Sequence, residues 1–82
     1  MNMIKTWVME WFVKNGNTTR EKLEENIDEN YLEQGVIDSF GFIALLSECE
    51  QKFSISFTKN EFLSDEFLTI RGIIQAIEKK AK

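Results

Sequence analysis

Midway along the chain, "VIDSFGF" (residues 36–42) sets an acid and a serine side by side among apolar residues. A nucleophilic serine needs a base, and the sequence holds no histidine and no lysine near Ser39. The carboxylate pairs Glu24/Glu25 and Asp28/Glu29 lie in a charged stretch, with nothing to bury them and raise a general acid's pKa. "DENYLEQGVIDS" has acids where a calcium loop begins but lacks the alternating ligands and the closing glutamate. No glycine-rich phosphate loop is present, and the single Cys49 excludes an internal disulfide or a cysteine-based zinc site. Two readings of Ser39 remain. In the first, Asp38 or Ser39 caps a helix, an interaction worth about 1 kcal/mol; the comparable Ser64-Asp65 is expected to do no more than precede the last helix. Alternatively, a serine at the positive end of a helix offers its hydroxyl to a modifying enzyme. A phosphodiester on that oxygen is then favoured by the helix N-terminus. Such a site suits attachment of a phosphate-linked group rather than unaided catalysis, and the chain is not expected to be an enzyme.

The elements that must position this serine can be read from periodicity. Ile4, Trp7, Val8, Trp11 and Phe12 recur at three- and four-residue steps and predict a helix ending near Asn15-Gly16. A long polar connection follows to Gly35, with a short helical turn expected around residues 19–26. Loops of that length in small domains are more often functional than idle. The helix that opens at Asp38 or Ser39 runs to about Phe53, with Ile43, Leu46 and Phe53 expected on its core face. Cys49 shares that face as a core residue. "SISF" (residues 54–57) reads as a connection. Thr58 and Glu61 have the capping-box spacing for a short helix, and the last helix is expected over residues 69–80. The fold class is all-α: a small four-helix bundle of three longer helices and one short one. It forms a single domain over residues 1–82.

Composition bounds the environment. The chain has 82 residues, seven phenylalanines, two tryptophans and 43% hydrophobic residues, enough for a small core without staples. No stretch approaches the ~20 apolar residues of a membrane span, no signal peptide is visible, and a cytoplasmic location is expected. The net charge of −4 is uneven. Residues 21–50 hold nine acids against Lys22 alone, so the acid surrounds Ser39. Nucleic acid is disfavoured by that field and basic protein surfaces are attracted. Charge alone favours the simpler reading, a solvated acidic loop.

Asp38-Ser39-Phe40, preceded by Gly35 and followed by a helical pattern through Leu45, Leu46, Glu50 and Phe53, resembles the acyl carrier proteins. "NYLEQGVIDSF" looks like their loop into the modified serine, and "FLSDEFLTIRGIIQAIEKK" is similar to their last two helices. The resemblance covers essentially the whole chain. It implies 4′-phosphopantetheine on Ser39, with Asp38 as motif partner. It also implies partner recognition near Phe40, Gly41, Phe42, Glu48 and Glu50. Phe40 stands where leucine is usual, and Gly41 where carriers of fatty-acid synthesis have an acid. Gly41 is either left small for a partner's close approach or simply tolerated in a first turn. Phe40 and Phe42 form an apolar docking patch, or one of them tucks into the core. The Asp-Ser-x-Gly form is nearer to D-alanyl carriers and stand-alone carriers served by an adenylate-forming ligase.

By this resemblance, the protein carries an acyl or aminoacyl thioester on its arm to partner enzymes in a biosynthetic or envelope-modification pathway. The partners implied are a phosphopantetheinyl transferase, an adenylating ligase and an acyltransferase or synthase. The carrier itself is expected to be a monomer outside the membrane. Weak, steered encounters suit a carrier that must leave each partner, which shifts the acidic middle toward partner recognition. The competing expectation is an unmodified helical interaction module.

Overall fold

A computed structural model describes residues 3–81. Three longer helices dominate: α1 (Met3–Asn15), α3 (Ser39–Phe53) and α5 (Ile70–Lys80), with two short helices between them, α2 (Arg20–Glu25) and α4 (Lys59–Phe62). A single 3-10 turn, Asp65–Leu68, precedes α5. The all-α bundle expected from periodicity is the observed one, with two differences in its short pieces. The connection after α1 holds a complete helix, capped by Thr19 accepting from the Lys22 N–H at 3.2 Å. Ser64 caps the 3-10 turn, and Thr69 caps α5 through the Gly72 N–H at 3.0 Å.

The core is built largely from aromatic rings. Phe12 meets Tyr31 edge-on at 5.0 Å, and Phe57 meets Phe67 in the same way at 5.0 Å. Val8, Met9, Leu45, Leu46, Cys49, Ile73 and Ile77 fill the space between them and are essentially inaccessible. Burying each large side chain stabilises by about 1.5–3 kcal/mol. No buried side-chain polar atom among the described residues lacks a partner, which matters because an orphaned one costs about 1–3 kcal/mol.

Of the sequence expectations for the core face of α3, Ile43 is corrected: it is 62% exposed. Leu45, Leu46 and Cys49 are the buried residues of that helix, with Phe42 and Phe53 packed at the margin. Ile43 follows the helical step, but it falls on the flank of a stripe whose centre is set by Leu45 and Cys49. Neither side of that choice is decided by spacing. Of the two tryptophans on α1, Trp11 is 7% exposed, and Trp7 is half-buried against the Phe53 ring at 5.5 Å.

The long connection is pinned at both ends, and this is what positions α3. Near its start, the Ile27 carbonyl accepts from Arg71 N–H at 3.1 Å, and the Arg71 guanidinium grips Asp28 at 2.6 Å. Asn30 Oδ1 turns the chain by accepting from Leu32 and Glu33 N–H groups. Tyr31 donates its N–H to Leu68 O and its hydroxyl to Phe67 O, tying the connection to the 3-10 turn. Gly35, at φ +73°, reverses the chain in a conformation that side chains rarely adopt. Val36 then accepts from the Asn17 N–H at 2.9 Å, fixing the run into α3 against the end of α1. The acidic stretch is therefore a folded strap rather than a loose loop.

At the other side, α4 hangs on a capping box. Glu61 N–H donates to Thr58 Oγ1, Thr58 N–H donates back to Glu61 Oε1, and Lys80 reaches the same carboxylate at 3.0 Å. The Thr58 N–H, followed by Lys80, holds the Glu61 carboxyl below its usual 4.5. A carboxyl depressed in the fold contributes stability that is present above the unfolded value and lost as pH falls through the folded one. Urea midpoints measured between pH 6 and pH 2.5 are expected to fall more gently below about 4.5 in Glu61→Gln than in the parent chain. Identical acid limbs for the two proteins would contradict this.

Candidate functional site

Asp38 has an extended backbone (φ −97°, ψ −175°), and its Oδ1 accepts from the Gly41 N–H at 2.8 Å, while its carbonyl accepts from Phe42 N–H at 2.9 Å. Asp38, not Ser39, is thus the N-cap. Ser39 becomes the first residue of α3, exposed, and among the described residues nothing bonds to its hydroxyl. Division of labour within the dipeptide answers the capping question: the acid satisfies the helix end and the serine is left over. Replacing Asp38 by alanine is expected to cost about 1 kcal/mol, as other lost caps do. For a domain of this size the melting temperature then drops by about 4–8 °C. Asp38→Asn, which can still accept the Gly41 N–H, should retain most of that stability in the same thermal melt.

The neighbours of Ser39 divide sharply. Phe40 is 83% exposed, whereas Phe42 is half-buried, its ring 6.3 Å from Tyr31. One ring points outward and the other joins the core margin. Gly41 is half-buried, and a Cβ there would lie 3.1 Å from Ile37 Cβ and 3.4 Å from Asp38 Oδ1. Its smallness serves the tight entry of the chain into α3, a role that sequence spacing did not suggest. Ile37, 8% exposed, plugs the helix end into the core.

The two acids expected on α3 take internal bonds. Glu48 Oε2 accepts from Trp11 Nε1 at 3.0 Å, and Glu50 Oε2 accepts from the Phe57 N–H at 2.8 Å. Glu50 thereby anchors the chain leaving α3, which turns at Ser54 with φ 55°. Cys49 is fully buried, and burial, followed by the charges of Glu48 and Glu50, pushes its thiol up to about 12. A thiol so held is a core group, not a nucleophile. Ile43, expected in the core, is instead exposed at 62%, and Leu63, exposed at 75%, was not singled out from sequence. Phe40 and Ile43 stand three residues apart, one helical step, and that spacing was the available signal.

The residues at the start of α3 fit a phosphate-linked group. Phosphate would meet the positive end of α3, where the N–H groups of Ser39 and Phe40 have no partner among the described residues. No side chain is hydrogen-bonded across the serine. Among the described residues there is no cluster of three metal-ligating side chains, and no helix is long and apolar enough to cross a membrane.

The structure is thus a helical bundle that presents an exposed, unbonded serine at the start of a long helix. The family described as the phosphopantetheine attachment site matches residues 17–77, and the chain belongs to it. Its covalent prosthetic group is 4′-phosphopantetheine, and the protein is a carrier, not itself an enzyme. Among curated proteins it is similar to the D-alanyl carrier proteins of Streptococcus pyogenes serotypes M1, M5 and M49. Each is 36% identical over 59 residues, covering 72% of this chain and 75% of the relative. No solved structure matches significantly. The resemblance drawn from Asp38-Ser39-Phe40 to carriers of the D-alanyl kind is borne out by these relatives.

Proposed function

We propose that Ser39 is the attachment residue and that the protein, one carrier domain over residues 1–82, carries an aminoacyl group to partner enzymes. The observation that supports this most directly is the exposed Ser39 hydroxyl, left without a bond because Asp38 takes the cap. In the attachment step the Ser39 oxygen forms a bond to the phosphorus of coenzyme A that bears pantetheine. The pyrophosphate P–O bond breaks, adenosine 3′,5′-bisphosphate leaves, and the serine proton passes to the transferase. When attached, the group supplies a thiol on a flexible arm that holds cargo as a thioester. What this chain contributes is fixed presentation: the strap pinned by Tyr31 and Arg71 holds α3, and α3 holds Ser39 outward.

The partners are a phosphopantetheinyl transferase, an adenylate-forming ligase that loads the thiol, and an acyltransferase or synthase that unloads it. Phe40, next to Ser39 and 83% exposed, is the leading recognition residue, with Ile43 beside it. Gly41 and Phe42 shape the ground under Phe40. Glu48 and Glu50, each with one oxygen engaged internally, contribute charge at the flanks of α3. The carrier is read as a cytoplasmic monomer that serves a biosynthetic or envelope-modification pathway, and its similarity to D-alanyl carrier proteins supports an aminoacyl cargo.

The test is intact mass after incubation with coenzyme A, magnesium and a broad-specificity transferase, followed by peptide mapping. One added phosphopantetheine on the peptide containing Ser39 is expected. No gain with several transferases would leave an unmodified interaction module as the better reading. A panel of adenylating ligases then sorts cargo: loading only with long acyl chains would overturn the aminoacyl assignment.

A further inference from the structure

On the flank of α3 that faces α1, an open groove of about 780 Å³ runs alongside the helix. Asp38 and Ile37 line it at the attachment end, Gly41 and Ala44 belong to its α3 side, and Trp11 and Glu48 also line it. Asn15 and Asn17 supply amide groups from the end of α1. Its charged lining is one-sided: Asp38 and Glu48 contribute carboxylates, and no lysine or arginine lines it. Lys14 lines a neighbouring hollow with Glu48, yet no salt bridge joins them. Glu48 is also oriented. Its Oε2 is fixed by the Trp11 indole N–H at 3.0 Å, leaving Oε1 with no partner among the described residues.

From these features we infer that the groove holds the loaded prosthetic arm between encounters, with Glu48 receiving the α-ammonium of an aminoacyl cargo. The inference rests on attachment at Ser39 and names the class of cargo that this chain favours at rest. Three properties support it. Position is the first: the groove begins at Asp38, beside the attachment residue, and Glu48 stands nine residues beyond Ser39. At 1.5 Å and 100° per residue that is about 14 Å along the helix axis and half a turn around it, so an extended arm enters the groove by crossing Asp38 at the helix start. Lining chemistry is the second: small Gly41 and Ala44 leave room, Ile37 offers apolar surface, and the asparagines offer amide partners for an arm that contains amides. Charge is the third: an ammonium meets the Glu48 carboxylate in a groove that no lysine or arginine lines, whereas a cargo ending in a carboxylate would meet like charge. Exposed charges of this kind are worth little in stability, so the arm stays available to partners.

The test uses chain loaded at Ser39 with stable amide-linked analogues, one bearing alanyl and one bearing acetyl, the latter lacking the ammonium. Intact mass is checked first, and ¹H–¹⁵N spectra then follow the Trp11 indole N–H and the Gly41 and Ala44 amides. The alanyl form is expected to shift all three relative to unloaded chain. The acetyl form should shift Trp11 less, and Glu48→Gln, which can still accept the indole N–H, should erase the difference. Ala44→Phe, at an exposed position, should block the shifts at Trp11 without changing the melt. Loaded chain whose shifts stay confined to residues 38–40 overturns the groove while leaving attachment intact. So does an equal Trp11 shift with alanyl and acetyl, as regards Glu48. Chain that gains no mass overturns attachment and the groove together.

Discussion

Ser39→Ala is expected to abolish the mass gain of one phosphopantetheine and every later thioester, with no change in folding. The loss should be complete, because the bond to phosphorus requires the serine oxygen and no other group in the first turn of α3 can replace it. Fold should be indifferent for a separate reason. The Ser39 hydroxyl bonds to nothing among the described residues, and Asp38 makes the cap. A surface substitution away from such features falls within about 0.5 kcal/mol, and alanine is the better helix former. Intact mass and a thermal melt on the same sample check both halves. If Ser39→Ala still gained phosphopantetheine, the attachment assignment would fail. If it lost several degrees of melting temperature, the hydroxyl would have a structural role that the geometry does not provide.

The largest effect on stability is expected at Gly72. Here α5 crosses the 3-10 turn so closely that a Cβ would lie 1.8 Å from the Glu66 carbonyl oxygen and 2.9 Å from Thr69 Oγ1. The obstacle is backbone, so it cannot rotate away. Either α5 lifts off the turn, or the turn moves and loses its hold on Tyr31 and Phe67. The same strain reaches the Thr69 cap, whose acceptor bonds the Gly72 N–H. Overpacking of this kind commonly costs about 1–3 kcal/mol, and a lost cap adds about 1. Gly72→Ala should therefore lose about 2–4 kcal/mol, against the total of about 4–12 expected for a chain of this length. At about 4–8 °C per kcal/mol the melting temperature falls by more than about 8 °C. A thermal melt within about 1 °C of the parent would show that the turn yields more easily than its geometry implies. Because Tyr31 ties this turn to the strap before α3, the variant should also load more slowly at Ser39 near its melting range.

Both predictions turn on features that differ in how far they could be read beforehand. The serine, its acid partner and the length of α3 were legible because a helix start is written in neighbouring residues. So was the Thr58–Glu61 capping box, whose two members stand three positions apart. The bond between Trp11 and Glu48 spans 37 positions and leaves no trace in spacing. Nor does the approach of Gly72 to Glu66, since either glycine or alanine would sustain the helical pattern of α5. Ile43 shows the limit within a single helix. Residues 42, 43, 45, 46, 49 and 53 are apolar or nearly so, which is more than one face can bury. Packing against Tyr31 drew Phe42 inward, and Ile43 was left outside.

By itself, then, the sequence determined the three longer helices, the Thr58–Glu61 capping box and the serine that opens α3, because those depend on dihedral preferences and hydrogen bonds made within a turn. Tertiary structure decided which flank of α3 is core, which acids are engaged, and that Asp38 and Glu48 border one groove. Those outcomes depend on surfaces meeting across the bundle. Several faces of a helix can satisfy the same periodicity, and close packing selects among them.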